Sequence, residues 1–137
     1  MTAKSAPLTD SDYAALASFR HAIRQFLAFS ETQAADVGLT PQQHQALLAI
    51  RGTESQPATV GYVAERLILK PHSATGLVHR LEALGLVTRE VAEDDRRRAV
   101  LHLTAAAHKK LAALSSVHRE EIRRLRSVLA GLLDKFA

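Results

Sequence analysis

Apolar residues recur at steps of three and four along most of this chain, and short polar or glycine-containing segments interrupt the pattern. Tyr13, Leu16, Phe19, Ile23, Phe26 and Leu27 share one helical stripe, which predicts an amphipathic first helix. Asp10 or Ser11 can cap its start, and Val37-Gly38 closes it, with glycine supplying the left-handed residue. Residues 1–9, small and polar around Pro7, are expected to fray. Leu39-Thr40-Pro41-Gln42-Gln43 restarts the helical pattern: Thr40 is the N-cap, Pro41 takes the first position and Gln43 completes a capping box. That second helix carries Ala46, Leu47 and Ile50 and stops at Arg51-Gly52.

After a polar loop, Thr53–Ala58, Thr59 caps a short helix over Val60–Leu67, and Pro71 opens another that runs to about Leu84 before Gly85. Val63, Ala64 and Leu67 form the apolar side of the first; Ala74, Leu77, Val78 and Leu81 form that of the second. Two short helices joined by a tight turn at Ile68-Leu69-Lys70 have the spacing of a helix-turn-helix. With the apolar sides turned inward, His72, Ser73, Thr75, Gly76, His79 and Arg80 are left near the outer face. Short hydrogen-bonding side chains and one long cation suit a major groove and are poor material for a core. Lys70 is a weak N-cap, so the first N–H groups of this helix are open to a phosphate or to solvent.

Two β-patterned runs follow, Leu86–Val91 and Ala99–Leu103, around the charged tip Glu93-Asp94-Asp95-Arg96-Arg97-Arg98. A lone hairpin needs a surface to pack on. Tipped with arginines and set beside a helix-turn-helix, it has the character of a wing, because the guanidinium fork matches phosphate oxygens and the negative minor groove. A solvated turn with internal Asp–Arg pairs is the plainer alternative. The last helix starts after Thr104. Its seam of Leu111, Leu114, His118, Ile122, Leu125, Leu129, Leu132 and Phe136 has coiled-coil spacing, longer than one small domain covers. The first helix together with the same elements of a second subunit is therefore expected to cover it, packing within the monomer alone being the plainer alternative. The charged residues Arg119, Glu120, Glu121, Arg123, Arg124 and Arg126 are expected to form a solvated face with i,i+3 and i,i+4 pairs.

Composition narrows the function classes. The 137 residues carry a net charge of +4 and are 47% hydrophobic but only 4% aromatic, which favours Leu/Ala/Val helices over a β-sandwich and permits a polyanionic partner without requiring one. With no cysteine, disulfides, thiolate catalysis, thiolate zinc and thiol redox sensing are excluded. Charged or polar residues break every apolar stretch, so no membrane partner and a cytoplasmic location are expected. No nucleophile–base pairing, phosphate loop or metal motif is present, so an enzyme is not expected, and no cofactor.

The element order, together with Leu39-Thr40-Pro41-Gln42-Gln43, Val63-Ala64-Glu65-Arg66-Leu67, Arg80-Leu81-Glu82-Ala83-Leu84-Gly85-Leu86-Val87 and the wing Asp95-Arg96-Arg97 followed by Leu103-Thr104, resembles the MarR family of winged helix-turn-helix transcription regulators. The resemblance covers nearly the whole chain. It implies a mainly α fold with a small β-hairpin (α+β) in a single domain over 1–137. Residues 10–38 and 104–137 would be dimerisation helices, and 39–103 the winged DNA-binding lobe. It further implies a homodimer, most often a repressor, whose recognition helices enter successive major grooves of a palindromic operator while the wings enter flanking minor grooves. Position by position, Arg97 falls where the family's wing-tip arginine enters the minor groove and Asp95 where an acidic residue braces it. Arg96 and Arg98 fall at phosphate contacts, and His72, Ser73 and Thr75 near base edges. His79 and Arg80 lie further along, Arg80 where the family often has a structural or phosphate-contacting arginine. Lys70 and His72 depart from the family habit of small hydroxylated residues there, which bears on the operator sequence.

In the family, small aromatic, phenolic or lipophilic anions bind between the dimer helices and the DNA-binding lobe; the candidate lining here is Phe19, Arg20, Ile23 and His44. Such a ligand acts only if it binds the DNA-incompetent arrangement better. Two other readings stay open. One is a winged helix serving as an interaction or architectural module without an effector. The other is a zinc-responsive regulator, for which His21, His44 and His108 would have to converge, since His108 and His118 lack i,i+4 spacing. His118 within the apolar seam reads as an interface or part-buried histidine, able to make a dimer pH-sensitive.

Overall fold

Four helices begin where a threonine side chain, Thr9, Thr40, Thr59 or Thr104, accepts from one of the first N–H groups, and these caps set much of the layout of the chain. The structure, a computed structural model, describes residues 6–92 and 95–136, and the side chains of residues 92–98 lie outside that description. The order is α1 (Asp10–Asp36), α2 (Pro41–Arg51), α3 (Val60–Leu67), α4 (Pro71–Ala83), β1 (Val87–Ala92), β2 (Asp95–Leu103) and α5 (Ala105–Phe136). This is the mainly α architecture with one hairpin that the sequence predicts.

Thr9, and not Asp10 or Ser11, caps α1. Its Oγ1 accepts from the Asp12 backbone N–H at 3.2 Å, while Asp12 Oδ2 accepts from the Thr9 N–H at 2.9 Å. The reciprocal pair satisfies two orphan donors, with aspartate in the place usually held by Glu or Gln. At α2 the expected box is present: Thr40 Oγ1 accepts from Gln43 N at 3.1 Å and Gln43 Oε1 from Thr40 N at 3.0 Å. Thr59 caps α3 through the Tyr62 N–H at 3.0 Å. Gly38 and Gly85 hold the left-handed positions, with φ of 79° and 73°. The turn after α3 takes the same conformation at a β-branched residue, Ile68, at φ 54° and ψ 49°.

The chain divides into two compact units, one formed by Glu31–Ser116 and the other by the part of α1 through Ser30 with α5 from Val117 onward. In the first, Leu47, Val63, Val78 and Leu81 are fully buried, each such side chain contributing roughly 1.5–3 kcal/mol of burial free energy. Around them pack Ile50, Leu77, Leu86, Val87 and Leu101, with Ala107, Leu111 and Leu114 from the start of α5. The hairpin is held against this core from both strands, which removes the instability of an isolated ribbon.

The strands pair antiparallel from Val87↔Leu103 to Val91↔Ala99, and the register then breaks, with Ala92 opposite Asp95. β2 thus starts at Asp95, four residues before the Ala99 expected from the apolar alternation. Alternation locates only the part of a strand that packs on a core; beyond it the strand runs on to Asp95, which pairs with Ala92 across the register break.

In the second unit the buried positions of α1 are small, Ala15 and Ala22, while Tyr13, Leu16, Phe19, Ile23 and Leu27 are exposed, as are Ile122, Leu133 and Phe136 on α5. Leu125, Leu129 and Leu132 are half-buried. His118 is half-buried too, its Nε2 2.9 Å from Ser30 Oγ and its ring edge-on to Phe26 and Phe29 at 6.0 and 5.7 Å. The expected solvated charge face holds for Arg123–Glu120, exposed at 3.5 Å. It fails at Glu121, which is buried and bonded to Arg124 Nη1 at 3.0 Å.

Candidate nucleic-acid interface

Helix α4 separates its residues cleanly by face. Ala74, Leu77, Val78 and Leu81 are buried, and Lys70, His72, Ser73, Thr75, His79 and Arg80 are exposed, with Gly76 half-buried between them. The outer face is therefore the one expected from the helical period. Lys70 makes no side-chain cap, so the first turn of α4 presents N–H groups outward beside a lysine, which favours an anion. Thr75 Oγ1 donates to the Pro71 carbonyl at 3.0 Å, which fixes its rotamer, leaving the hydroxyl's lone pairs free to accept. A Cβ added at Gly76 would meet Arg80 Nη2 at 3.5 Å, so the Arg80 guanidinium folds back along the same helix.

Three sets of contacts hold the hairpin in place, two of them to α4 or the turn that follows it, and none was readable from residue patterns. Arg89 on β1 donates to Glu82 Oε1 on α4 through Nη2 at 2.7 Å and Nε at 3.2 Å. Thr104 joins three elements: its Oγ1 donates to the Gly85 carbonyl at 2.7 Å and accepts from Ala107 N at 3.3 Å, while its N–H donates to the Leu86 carbonyl at 3.1 Å. At the base of β2, Leu101 N donates to the Ala58 carbonyl at 2.7 Å. Leu103-Thr104 carried weight in sequence only as a spacing; its hydrogen bonds are the physical reason. On the hairpin's exposed side, His102 Nε2 meets Glu90 Oε2 at 2.8 Å.

The backbone of Asp95, Arg96, Arg97 and Arg98 belongs to β2 at the distal end of the hairpin, and their side chains lie outside the described residues, as do Glu93 and Asp94. Of the candidate effector residues, Phe19, Arg20 and Ile23 are exposed on α1. Ile23 also lines a cavity of about 280 Å³ with Ala22, Phe26, Ile122, Leu125 and Leu129. His44 is buried in α2, in the other compact unit. Among the described residues no group of three or more His, Cys, Asp or Glu is placed to hold a metal ion, and no helix is long and apolar enough to cross a membrane.

A helix-turn-helix whose second helix exposes a polar face, followed by an antiparallel hairpin stapled to that helix, defines a winged helix. The MarR family model matches residues 37–98. The organic hydroperoxide resistance transcriptional regulator of Bacillus subtilis is 32% identical over 108 residues, covering 72% of each chain. The chain belongs to the MarR family, whose members are transcriptional regulators and not enzymes. Its fold matches MepR, a transcription regulator of the Staphylococcus aureus multidrug efflux pump MepA, with a TM-score of 0.73 at 19% identity over 95% of this chain and 100% of that one. It also matches MepR in a DNA complex, with a TM-score of 0.70 at 23% identity over 88% and 85% of the two chains.

Proposed function

We propose that this chain is a sequence-specific double-stranded DNA-binding regulator, a homodimeric cytoplasmic repressor released from a palindromic operator by a small aromatic or phenolic ligand. The observation that carries the DNA reading is the outer face of α4, where His72, Ser73, Thr75, His79 and Arg80 are exposed above a buried apolar side. The DNA complex of MepR, a protein of the same fold, supports it. Lys70 and Arg80 meet phosphates, and His72, Ser73 and Thr75 face base edges. At the hairpin tip Arg97 enters the minor groove with Asp95 as its brace, while Arg96 and Arg98 take phosphates.

The dimer rests on the exposed Tyr13, Leu16, Phe19, Ile23 and Leu27 of α1 with Ile122, Leu133 and Phe136 of α5, a density of large apolar groups that a second copy would cover. The division proposed is residues 10–38 and 104–137 for dimerisation and 39–103 for DNA. Phe19, Arg20, Ile23 and His44 are the proposed effector contacts. The B. subtilis relative takes its name from hydroperoxide resistance, but with no cysteine in these residues a thiol cannot be the sensor here.

Selection of bound sequences from random duplex DNA, followed by titration of the winner, tests this. The expected product is a palindrome with half-sites about one helical turn, ~34 Å, apart. Arg97→Ala should weaken binding by about 1–3 kcal/mol while the dimer stays folded. A single asymmetric site, or unchanged affinity in Arg97→Ala, refutes the reading. Failure of specific over non-specific binding in competition would favour an interaction module instead.

A further inference from the structure

A cavity of about 250 Å³ lies within the Glu31–Ser116 unit, between the end of α2, the 53–58 loop, the base of β2 and the first turn of α5. Its wall is apolar where Ile50, Ala58 and Leu101 are buried. Two basic side chains from distant parts of the sequence meet in its lining: Arg51 Nη1 contacts His108 Nδ1 and lies 3.4 Å from His108 Nε2. No carboxylate among the described residues forms an ion pair with either. Arg51 is charged at any accessible pH, so the imidazole can only give it a lone pair. The guanidinium's other donors remain available, and both groups are exposed.

A recess lined by apolar Ile50, Ala58 and Leu101, by polar Thr53 and Gln56, and by an arginine fork with the imidazoles of His102 and His108 has the chemistry of a site for an organic anion with a compact hydrophobic body. The guanidinium matches a carboxylate in two parallel hydrogen bonds, and the imidazole, turned to donate, supplies a third. The recess is at the small end of ligand-site volumes, which limits the body to about one ring. We infer that this cavity binds a small monocarboxylate, the carboxylate held by Arg51 and His108 and the apolar body against Ile50, Ala58 and Leu101. The binding does not rest on the DNA reading. Its site adjoins the Leu101–Ala58 hydrogen bond at the base of the hairpin and is distinct from the Phe19, Arg20, Ile23 and His44 set.

Calorimetric titration of the full chain with cyclohexanecarboxylate, and with its uncharged carboxamide, tests the inference. Saturable binding of the carboxylate is expected, with loss of about tenfold or more in affinity for the carboxamide and for the folded variants Arg51→Gln and His108→Ala. Arg66→Gln, which removes an equal charge from α3, should bind as the wild type does. Using two variants keeps the test intact should one fail to fold. No saturable binding of the carboxylate to wild type, or equal affinity in Arg51→Gln or His108→Ala, overturns the inference. Equal loss in Arg66→Gln also overturns it, because attraction would then follow net charge and not the site.

Discussion

Replacing Thr104 by valine keeps the shape of the side chain and removes its hydroxyl, which makes it a direct probe of how the hairpin is fixed to the recognition helix. Two hydrogen bonds disappear, one to the Gly85 carbonyl at 2.7 Å and one from the Ala107 N–H at 3.3 Å that caps α5. Loss of a hydroxyl cap costs about 1 kcal/mol, and loss of a part-buried hydrogen bond about another 1 kcal/mol, with more if the Gly85 carbonyl is left dry. Thr104 is half-buried, so water can partly replace the lost partner and the sum stays near 2 kcal/mol. Thr104→Ser keeps the hydroxyl and should lose less than about 1 kcal/mol, the scale of one methyl group. Urea unfolding at one fixed protein concentration, with far-ultraviolet dichroism as the signal, gives both differences. Hydrogen exchange should show the Ala107 amide losing protection in the valine variant alone. If Thr104→Val is as stable as wild type, or if serine and valine are equally damaging, the hydroxyl does not join these elements and the reasoning fails.

Ile68 is 92% exposed in a left-handed conformation, so Ile68→Asn should stabilise the fold by about 0.5–1 kcal/mol in the same urea assay, relieving strain without losing burial. Leu81→Ala opens a cavity at a fully buried site of α4 and should cost about 3–4 kcal/mol, whereas Leu84→Ala, at an exposed neighbour, should be near neutral by thermal melting. Asp12 is held below its ordinary pKa of 3.8, first by the Thr9 backbone N–H, then by the Thr9 hydroxyl and by Lys135, with burial opposing. Its folded pKa is thus the lower one. The stability it lends is fully present above about pH 3.8 and is lost as pH falls through the folded value. Carboxyl NMR titration should place Asp12 below free aspartate, and Asp12→Asn should abolish that part of the acid dependence.

What the sequence determined by itself is what neighbours along the chain decide. The caps at Thr40 and Thr59, the closing glycines Gly38 and Gly85 and the inward face of α4 at Ala74, Leu77, Val78 and Leu81 depend on contacts within a turn or two of helix, and they stand as the pattern implies. The cap of α1 was displaced to Thr9 because Asp12 completes a reciprocal pair three residues on, a choice among several competent cap residues.

Tertiary structure alone decided what lies between distant residues. Thr104 and Gly85 are nineteen positions apart and Arg51 and His108 fifty-seven, and no periodicity encodes such pairings. The same holds for the extension of β2 back to Asp95, which pairs with Ala92 beyond the apolar alternation, and for Glu121, buried although its neighbours in sequence are charged. On α1 the stripe of large apolar residues was legible, yet folding of one chain buries Ala15 and Ala22 and leaves Tyr13, Leu16, Phe19, Ile23 and Leu27 exposed, with Phe26 half-buried. Hydrophobic periodicity records which residues must leave water, and only the packed structure tells which surface takes them in.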